Sequence, residues 1–201
     1  MKHLFLQAPI QAGKSTLLQD ALNPYKRYIG GFISQRLKDK NGNTLGFRLA
    51  DYAKSPPLTA IFDEDLTNIF MKRTPGGASF EMSIFEEAAI NIIEKAKAEK
   101  KIILLDEIGG GELKSPLFSN YLDTLLRGNI PCIGVLKMSY AAANTGHSIG
   151  VNLKGKSSEF HDKMPEYMAE ILNYSRESYN IQKKYIQDFI EEKLCGNSTT
   201  D

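Results

Sequence analysis

Net charge is almost absent from this chain of 201 residues: 25 Lys and Arg stand against 24 Asp and Glu, leaving +1. A dominant electrostatic footprint for nucleic acid or an anionic membrane needs an excess of one sign, so the balance argues against both, leaving room for a local basic patch only. Cysteine is scarce too. Cys132 and Cys195 lie far apart without metal-type spacing, which predicts free thiols in a reducing compartment. No uninterrupted apolar run is long enough to cross a bilayer. Met1-Lys2-His3 leads into a short apolar strand and not into a secretory leader with its cleavage site. A soluble, cytoplasmic protein is expected, with no membrane partner. Internal repeats and low-complexity tracts are also missing.

What is present is an alternation of strands and helices. Residues 2–7 read as a short buried strand, followed by a helix from about Lys14 to Leu22 that ends at Asn23-Pro24. Tyr28 to Leu37 and Thr44 to Ala50 flank the turn signal Asn41-Gly42 and predict a β-hairpin insertion. Leu58 to Phe62 reads as a short strand, and residues 63–82 are weakly patterned, with a loop at Thr74-Pro75-Gly76-Gly77. Ser83 and Glu86 match a capping box, and the helix behind them puts Ile84, Phe85, Ala88, Ala89, Ile92, Ile93 and Ala96 on one face. Ile102 to Leu105 is a continuously apolar strand, Leu117 to Leu126 a helix, and Pro131 to Leu136 another strand. This order predicts a doubly wound α/β fold with a mainly parallel sheet. One domain over 1–201 is expected: a core at 1–138, a long loop at 139–162, and C-terminal helices at 163–195, opened by Pro165 and broken near Asn173 to Ser175. Gly196 fits the final cap, and residues 197–201 are expected to fray.

Two motifs carry chemistry. Residues 8–15 read Ala8-Pro9-Ile10-Gln11-Ala12-Gly13-Lys14-Ser15, which matches the end of the phosphate-loop pattern G-x-x-x-x-G-K-[ST] but not its opening glycine. In such a loop, backbone N–H groups and a helix start face phosphate oxygens. Lys14 lies across the β- and γ-phosphates, and the Ser15 hydroxyl coordinates Mg²⁺. Gln11 stands where many such loops have a second glycine. If that position takes a positive φ, glutamine costs about 1–2 kcal/mol. The alternative reading of Gly13-Lys14-Ser15 is an ordinary helix start.

The second motif is Asp106-Glu107 at the end of the apolar strand. That strand is expected beside the first one, so that both open on one crevice at the carboxyl edge. Asp106 is the expected Mg²⁺ partner. Glu107 is the expected general base that aims water at the γ-phosphoryl group. A helix-capping acidic pair is the plainer alternative.

Three blocks make the chain resemble the THEP1 family of P-loop nucleoside-triphosphatases: APIQAGKST at 8–16, GFISQRLKDKNGNTLGF at 31–47, and DEIGGGELKSPLF at 106–118. Phe85-Glu86 also sits where the family has a Phe-Glu helix start. The resemblance implies a three-layer RecA-like core, Mg²⁺ as cofactor, and hydrolysis of ATP, GTP and other triphosphates to diphosphate and phosphate. By position, Gly13, Lys14, Ser15, Thr16, Asp106 and Glu107 carry over, within a nucleotide-binding stretch spanning Ala8 to Thr16. The loop is poorer in glycine than the family's, Gly110-Gly111 replaces a Lys-Met pair, and the region after Leu136 does not align.

Other candidates are less specific. Lys137 and Ser139 follow the strand after the carboxylates, where a polar group can sense the γ-phosphate. Arg36, Arg48, Arg73 and Arg127 are possible transition-state cations. His147 and His161 read as surface residues, and Tyr167, Tyr174, Tyr179 and Tyr185 as packing residues. Two other functions fit the motifs: a nucleotide or small-molecule kinase with 139–162 as a lid, and a nucleotide-binding regulatory module with little turnover. Neither a preferred base nor a protein partner follows from the residues.

Overall fold

The computed structural model describes residues 1–9, 12–138 and 154–196. The first apolar run forms β1 (His3–Gln7), buried along nearly its whole length. Helix α1 (Lys14–Leu22) turns Leu17, Leu18, Ala21 and Leu22 inward, the spacing of a single helical stripe. Asn23-Pro24 does not release the chain; it tightens it into a 3₁₀ turn over Asn23–Tyr28. β2 (Ile29–Lys38) and β3 (Thr44–Asp51) form the expected antiparallel hairpin. Its turn is held by Asp39 Oδ1, which accepts from the Asn41 and Asn43 N–H groups at 2.9 and 2.8 Å. β4 (Thr59–Ile61) runs parallel to the far half of β2.

The weakly patterned stretch after β4 contains a second hairpin, β5 (Ile69–Thr74) with β6 (Gly77–Phe80). Its strands are too short to show a period, and the Thr74–Gly77 loop is its turn. α2 (Met82–Glu99) begins one residue before Ser83, with Glu81 at the cap and no side-chain cap bond. The predicted capping box is therefore not formed. Phe85, Ala88, Ala89, Ile93 and Ala96 are buried, whereas Ile84 is exposed. β7 (Ile102–Ile108) runs on through Asp106 and Glu107. α3 (Pro116–Arg127) is capped by Ser115 Oγ, which accepts from Phe118 N–H at 2.9 Å, and leads to β8 (Cys132–Leu136).

The C-terminal part departs furthest from expectation. Residues 154–162, predicted as loop, form α4 (Lys154–Asp162). Pro165 lies in a turn, and residues 169–173, predicted as helix, form β9 (Ala169–Asn173), paired in parallel with β1. A five-residue segment that mixes Ala169, Ile171 and Leu172 with Glu170 and Asn173 has no decisive period; main-chain pairing with the open edge of β1 settles it. α5 (Tyr179–Cys195) closes the described chain.

The strands form one sheet in the order β6-β5-β3-β2-β7-β8-β1-β9, with β4 also on β2. Strands β2, β7, β8, β1 and β9 are mutually parallel. The expectation that the carboxylate strand adjoins the first strand is incorrect, because β8 lies between β1 and β7. Apolar layers cover both faces. α1 and α5 pack Leu17, Leu18, Ile186 and Ile190 over Leu4, Leu6, Ile102 and Leu104. On the other face, α2 and α3 pack Phe85, Ile93, Phe118 and Leu122 over Phe5, Phe32, Ile103 and Leu105. This is the three-layer α/β arrangement of a P-loop core. Among the described residues no helix is long and apolar enough to cross a membrane, and both cysteines are free.

Candidate functional site

The parallel strands all end at one edge, and the residues singled out by the motifs gather there. Gly13 caps α1 at φ 100°, a left-handed conformation that glycine adopts without cost. The first bond of the helix ladder runs from Leu17 N–H to Gly13 O at 3.0 Å. The N–H groups of Lys14, Ser15 and Thr16 thus stand at a helix start, the place in a helix that favours an anion. Ala8 is buried, and its φ is not positive, so replacing the loop's opening glycine introduces no backbone strain. Ile10 and Gln11 lie outside the described residues.

Lys14 is only 8% exposed. Its Nζ donates to Ala8 O and Pro9 O at 2.9 and 2.8 Å. Burial pulls its pKa below the ordinary lysine value, and the charges of Glu107 and Asp106 oppose that shift. Both carboxylates therefore act on the same ammonium group. Ser15 Oγ donates to Asp106 Oδ1 at 3.4 Å, and Ser34 N–H to Asp106 Oδ2 at 3.3 Å. Asp106 is buried. Removal from water, reinforced by the Glu107 charge, pushes its pKa up to about 7. A buried carboxylate beside a hydroxyl, with a half-exposed second carboxylate next to it, is a hard-oxygen donor set that suits a divalent cation such as Mg²⁺.

A β-bulge creates this pair. Leu105 pairs with Gly134 and Ile108 with Leu136, so Asp106 and Glu107 together face the single residue Val135. In a regular strand two successive side chains point to opposite faces; an extra residue re-aims them. Glu107 takes φ 63° and Gly109 φ 96°. Lys137, just past β8, brings Nζ to 4.0 Å from Glu107 Oε2. Glu112 is buried and accepts from the Gly109 and Gly110 N–H groups at 2.6 and 2.7 Å.

The arginine candidates do not converge here. Arg127 pairs with Asp123 and Glu166, on the helix end that leads into β8 at the opposite edge. Arg48 donates to Gln35 Oε1 at 2.6 Å, Arg36 lies over Phe47, and Arg73 is on the outlying β5. An unanticipated arginine stands nearer: Arg176 Nε donates to Ala12 O at 3.4 Å. Tyr174 is buried, and its hydroxyl lies beside Gly13. Tyr167 bonds to Asp123, Tyr179 to Asp20, and Tyr185 to Glu170. His161 is not a simple surface residue, since its Nε2 lies 2.7 Å from Lys137 O. Ser139 and His147 fall outside the described residues. Sequence reasoning gave no role to Ser34, Glu112 or Ser157, the first two quoted only within the family blocks, because their roles depend on partners distant in sequence or on a local turn. The one available signal was Glu112, a lone acid after three glycines.

A family model described as NTPase matches residues 3–156. Among curated proteins the chain is similar to the nucleoside-triphosphatase THEP1 of Methanocaldococcus jannaschii, 23% identical over 143 residues, covering 68% of this chain and 79% of the relative. It is also similar to that of Methanothermobacter thermautotrophicus, 29% identical over 129 residues, covering 62% and 70%. In fold it resembles the crystal structure of THEP1 from Aquifex aeolicus, with TM-score 0.64, 20% identity and coverage of 95% and 99%. The solution structure of a human cancer-related nucleoside triphosphatase is similar at TM-score 0.60, 19% identity and full coverage of both chains. A phosphate-loop helix, a bulged carboxylate strand and this family match agree: the chain belongs to the NTPase family of THEP1 type and is a nucleoside-triphosphatase enzyme.

Proposed function

We propose that the enzyme hydrolyses ATP, GTP and other nucleoside triphosphates to diphosphate and phosphate with Mg²⁺, as one P-loop unit over residues 1–201 in a cytoplasmic setting. The observation that carries the reading is the convergence of Lys14 with the Asp106–Glu107 pair: Ser15 Oγ lies 3.4 Å from Asp106 Oδ1, and both carboxylates act on the Lys14 charge. Residues Ala8 to Thr16 embrace the phosphates. Lys14 leaves the Ala8 and Pro9 carbonyls for the β- and γ-phosphate oxygens. Ser15 and Asp106 would hold Mg²⁺, which would supply positive charge to neutralise the phosphate oxygens. Glu107 accepts a proton from a water molecule as its oxygen attacks the γ-phosphorus. The bond from phosphorus to the bridging oxygen breaks, and the diphosphate leaves with the electron pair. Lys137 holds the Glu107 carboxylate in place.

Phosphate release by purified protein, with and without Mg²⁺, tests this. Glu107→Gln should lower kcat by about a hundredfold or more, and Lys14→Ala should abolish nucleotide binding. Silence of the wild type with every triphosphate overturns the reading. The alternative is a kinase, which would pass the γ-phosphate to a second substrate instead of to water. Label from the γ-phosphate found on an added small molecule instead of in free phosphate would favour it.

A further inference from the structure

Helix α4 begins at Lys154, where the family match is ending, and two of its side chains reach the catalytic edge. Ser157 is fully buried and donates Oγ to Gly109 O at 3.1 Å. His161 Nε2 lies 2.7 Å from Lys137 O. A carbonyl only accepts, so Nε2 carries the proton and Nδ1 is left as an acceptor. Gln7 Nε2 faces that Nδ1 at 3.5 Å. Gln7 ends β1, one residue before Ala8.

These anchor points bracket the carboxylate. Glu107 and Gly109 both have positive φ, and Ile108 between them accepts the Lys137 N–H at 2.8 Å. A non-glycine residue in the left-handed region persists only where its surroundings over-determine it. Glu112 holds the Gly109 and Gly110 N–H groups from within the loop. Ser157 holds the Gly109 carbonyl from outside, and His161 holds the carbonyl of the residue whose ammonium reaches Glu107. No residue of α4 belongs to the phosphate-loop or carboxylate motifs.

We propose that Ser157 and His161 are positioning residues for hydrolysis: from α4 they pin the Gly109 and Lys137 carbonyls and thereby fix Glu107 and Lys137 against the γ-phosphate. This rests on the reading of Glu107 as the water-orienting base. The test uses the full chain, with kcat and KM for phosphate release, Kd for a non-hydrolysable triphosphate, and melting temperature. His161→Ala should lower kcat about tenfold, while KM and Kd stay within about twofold. His161→Gln, which returns an N–H near the Nε2 position, should recover to within about threefold. Ser157→Thr should likewise recover what Ser157→Ala loses. In a Glu107→Gln background the His161→Ala loss should shrink to less than about twofold, because the group being positioned is already disabled.

An unchanged kcat overturns the proposal. So does a parallel change in kcat and Kd, or a tenfold loss that survives in the Glu107→Gln background. Unfolding of His161→Ala that His161→Gln does not relieve marks a purely structural tie and overturns it as well. A wild type that releases no phosphate defeats the reading of the site itself; an active wild type with indifferent variants defeats only the positioning role.

Discussion

His3 lies at the amino edge of the sheet, far from the phosphate loop, and sets an acid limit on stability. Its side chain is fully buried. Nδ1 accepts the Cys132 N–H at 2.8 Å, and Nε2 meets Leu126 O at 2.9 Å, so the neutral Nε2–H tautomer satisfies both. Burial lowers its pKa from 6.5 to about 4, the Leu126 bond opposing and Lys2 and Lys193 assisting. Above pH 6.5 the folded and unfolded chains both carry a neutral imidazole. Between 6.5 and 4 the unfolded chain takes up a proton that the folded one refuses, so stability falls as pH falls. The loss amounts to about 2 kcal/mol at pH 5 and about 3 kcal/mol once the folded-state pKa is passed. Asp106 has the opposite sign: its raised pKa lets the folded chain hold a proton below about pH 7, so acidification relieves a buried charge. The difference between wild type and His3→Gln removes that contribution. Urea unfolding at pH 7.5 and 5.0 should show wild type losing about 2 kcal/mol more than the variant. Parallel losses in the two proteins would refute the assignment of His3 as a buried neutral base.

Asp106→Asn removes a buried charge beside Glu107; it should raise the melting temperature at pH 8, with the gain shrinking by pH 5, while phosphate release disappears. Glu112→Ala strips the acceptor from the buried Gly109 and Gly110 N–H groups; denaturant unfolding should show a loss of about 2–4 kcal/mol, and Glu112→Gln a smaller one. A Cβ on Gly134 would stand 1.9 Å from Leu105 O. Gly134→Ala should therefore force β7 and β8 apart and cost about 3 kcal/mol or more, read as a drop in melting temperature together with loss of activity.

The main elements on the phosphate side were legible because their signals are local. Lys14–Leu22 matches its helix to the residue; the Asn41-Gly42 turn and the apolar runs of β1, β7 and β8 needed only neighbouring residues to be recognised. The motif residues Lys14, Ser15, Asp106 and Glu107 were likewise visible from type and spacing, although Ile10 and Gln11 are not among the described residues. β5, β6 and β9 were not legible. They are as short as β1 and β8 but lack the continuous apolar run that marks those two, since Lys72, Arg73, Ser79, Glu170 and Asn173 interrupt them, and β9 exists because β1 offers an unpaired edge. Ser83 had the right neighbours for a cap, but the helix starts one residue earlier.

Composition, periodicity and two short motifs were therefore enough for the fold class and for the candidate charged groups, and the resemblance of three sequence blocks pointed to the family, since each depends on residues close together in the chain. Strand order was decided in three dimensions. β8 enters between β1 and β7 because parallel strands pair through backbone groups that any sequence supplies. The bulge that turns Asp106 and Glu107 to one edge, the reach of Lys137 to Glu107, and the grip of Ser157 and His161 from α4 all join residues remote in sequence. Such contacts are properties of a packed molecule, and no window along the chain contains them.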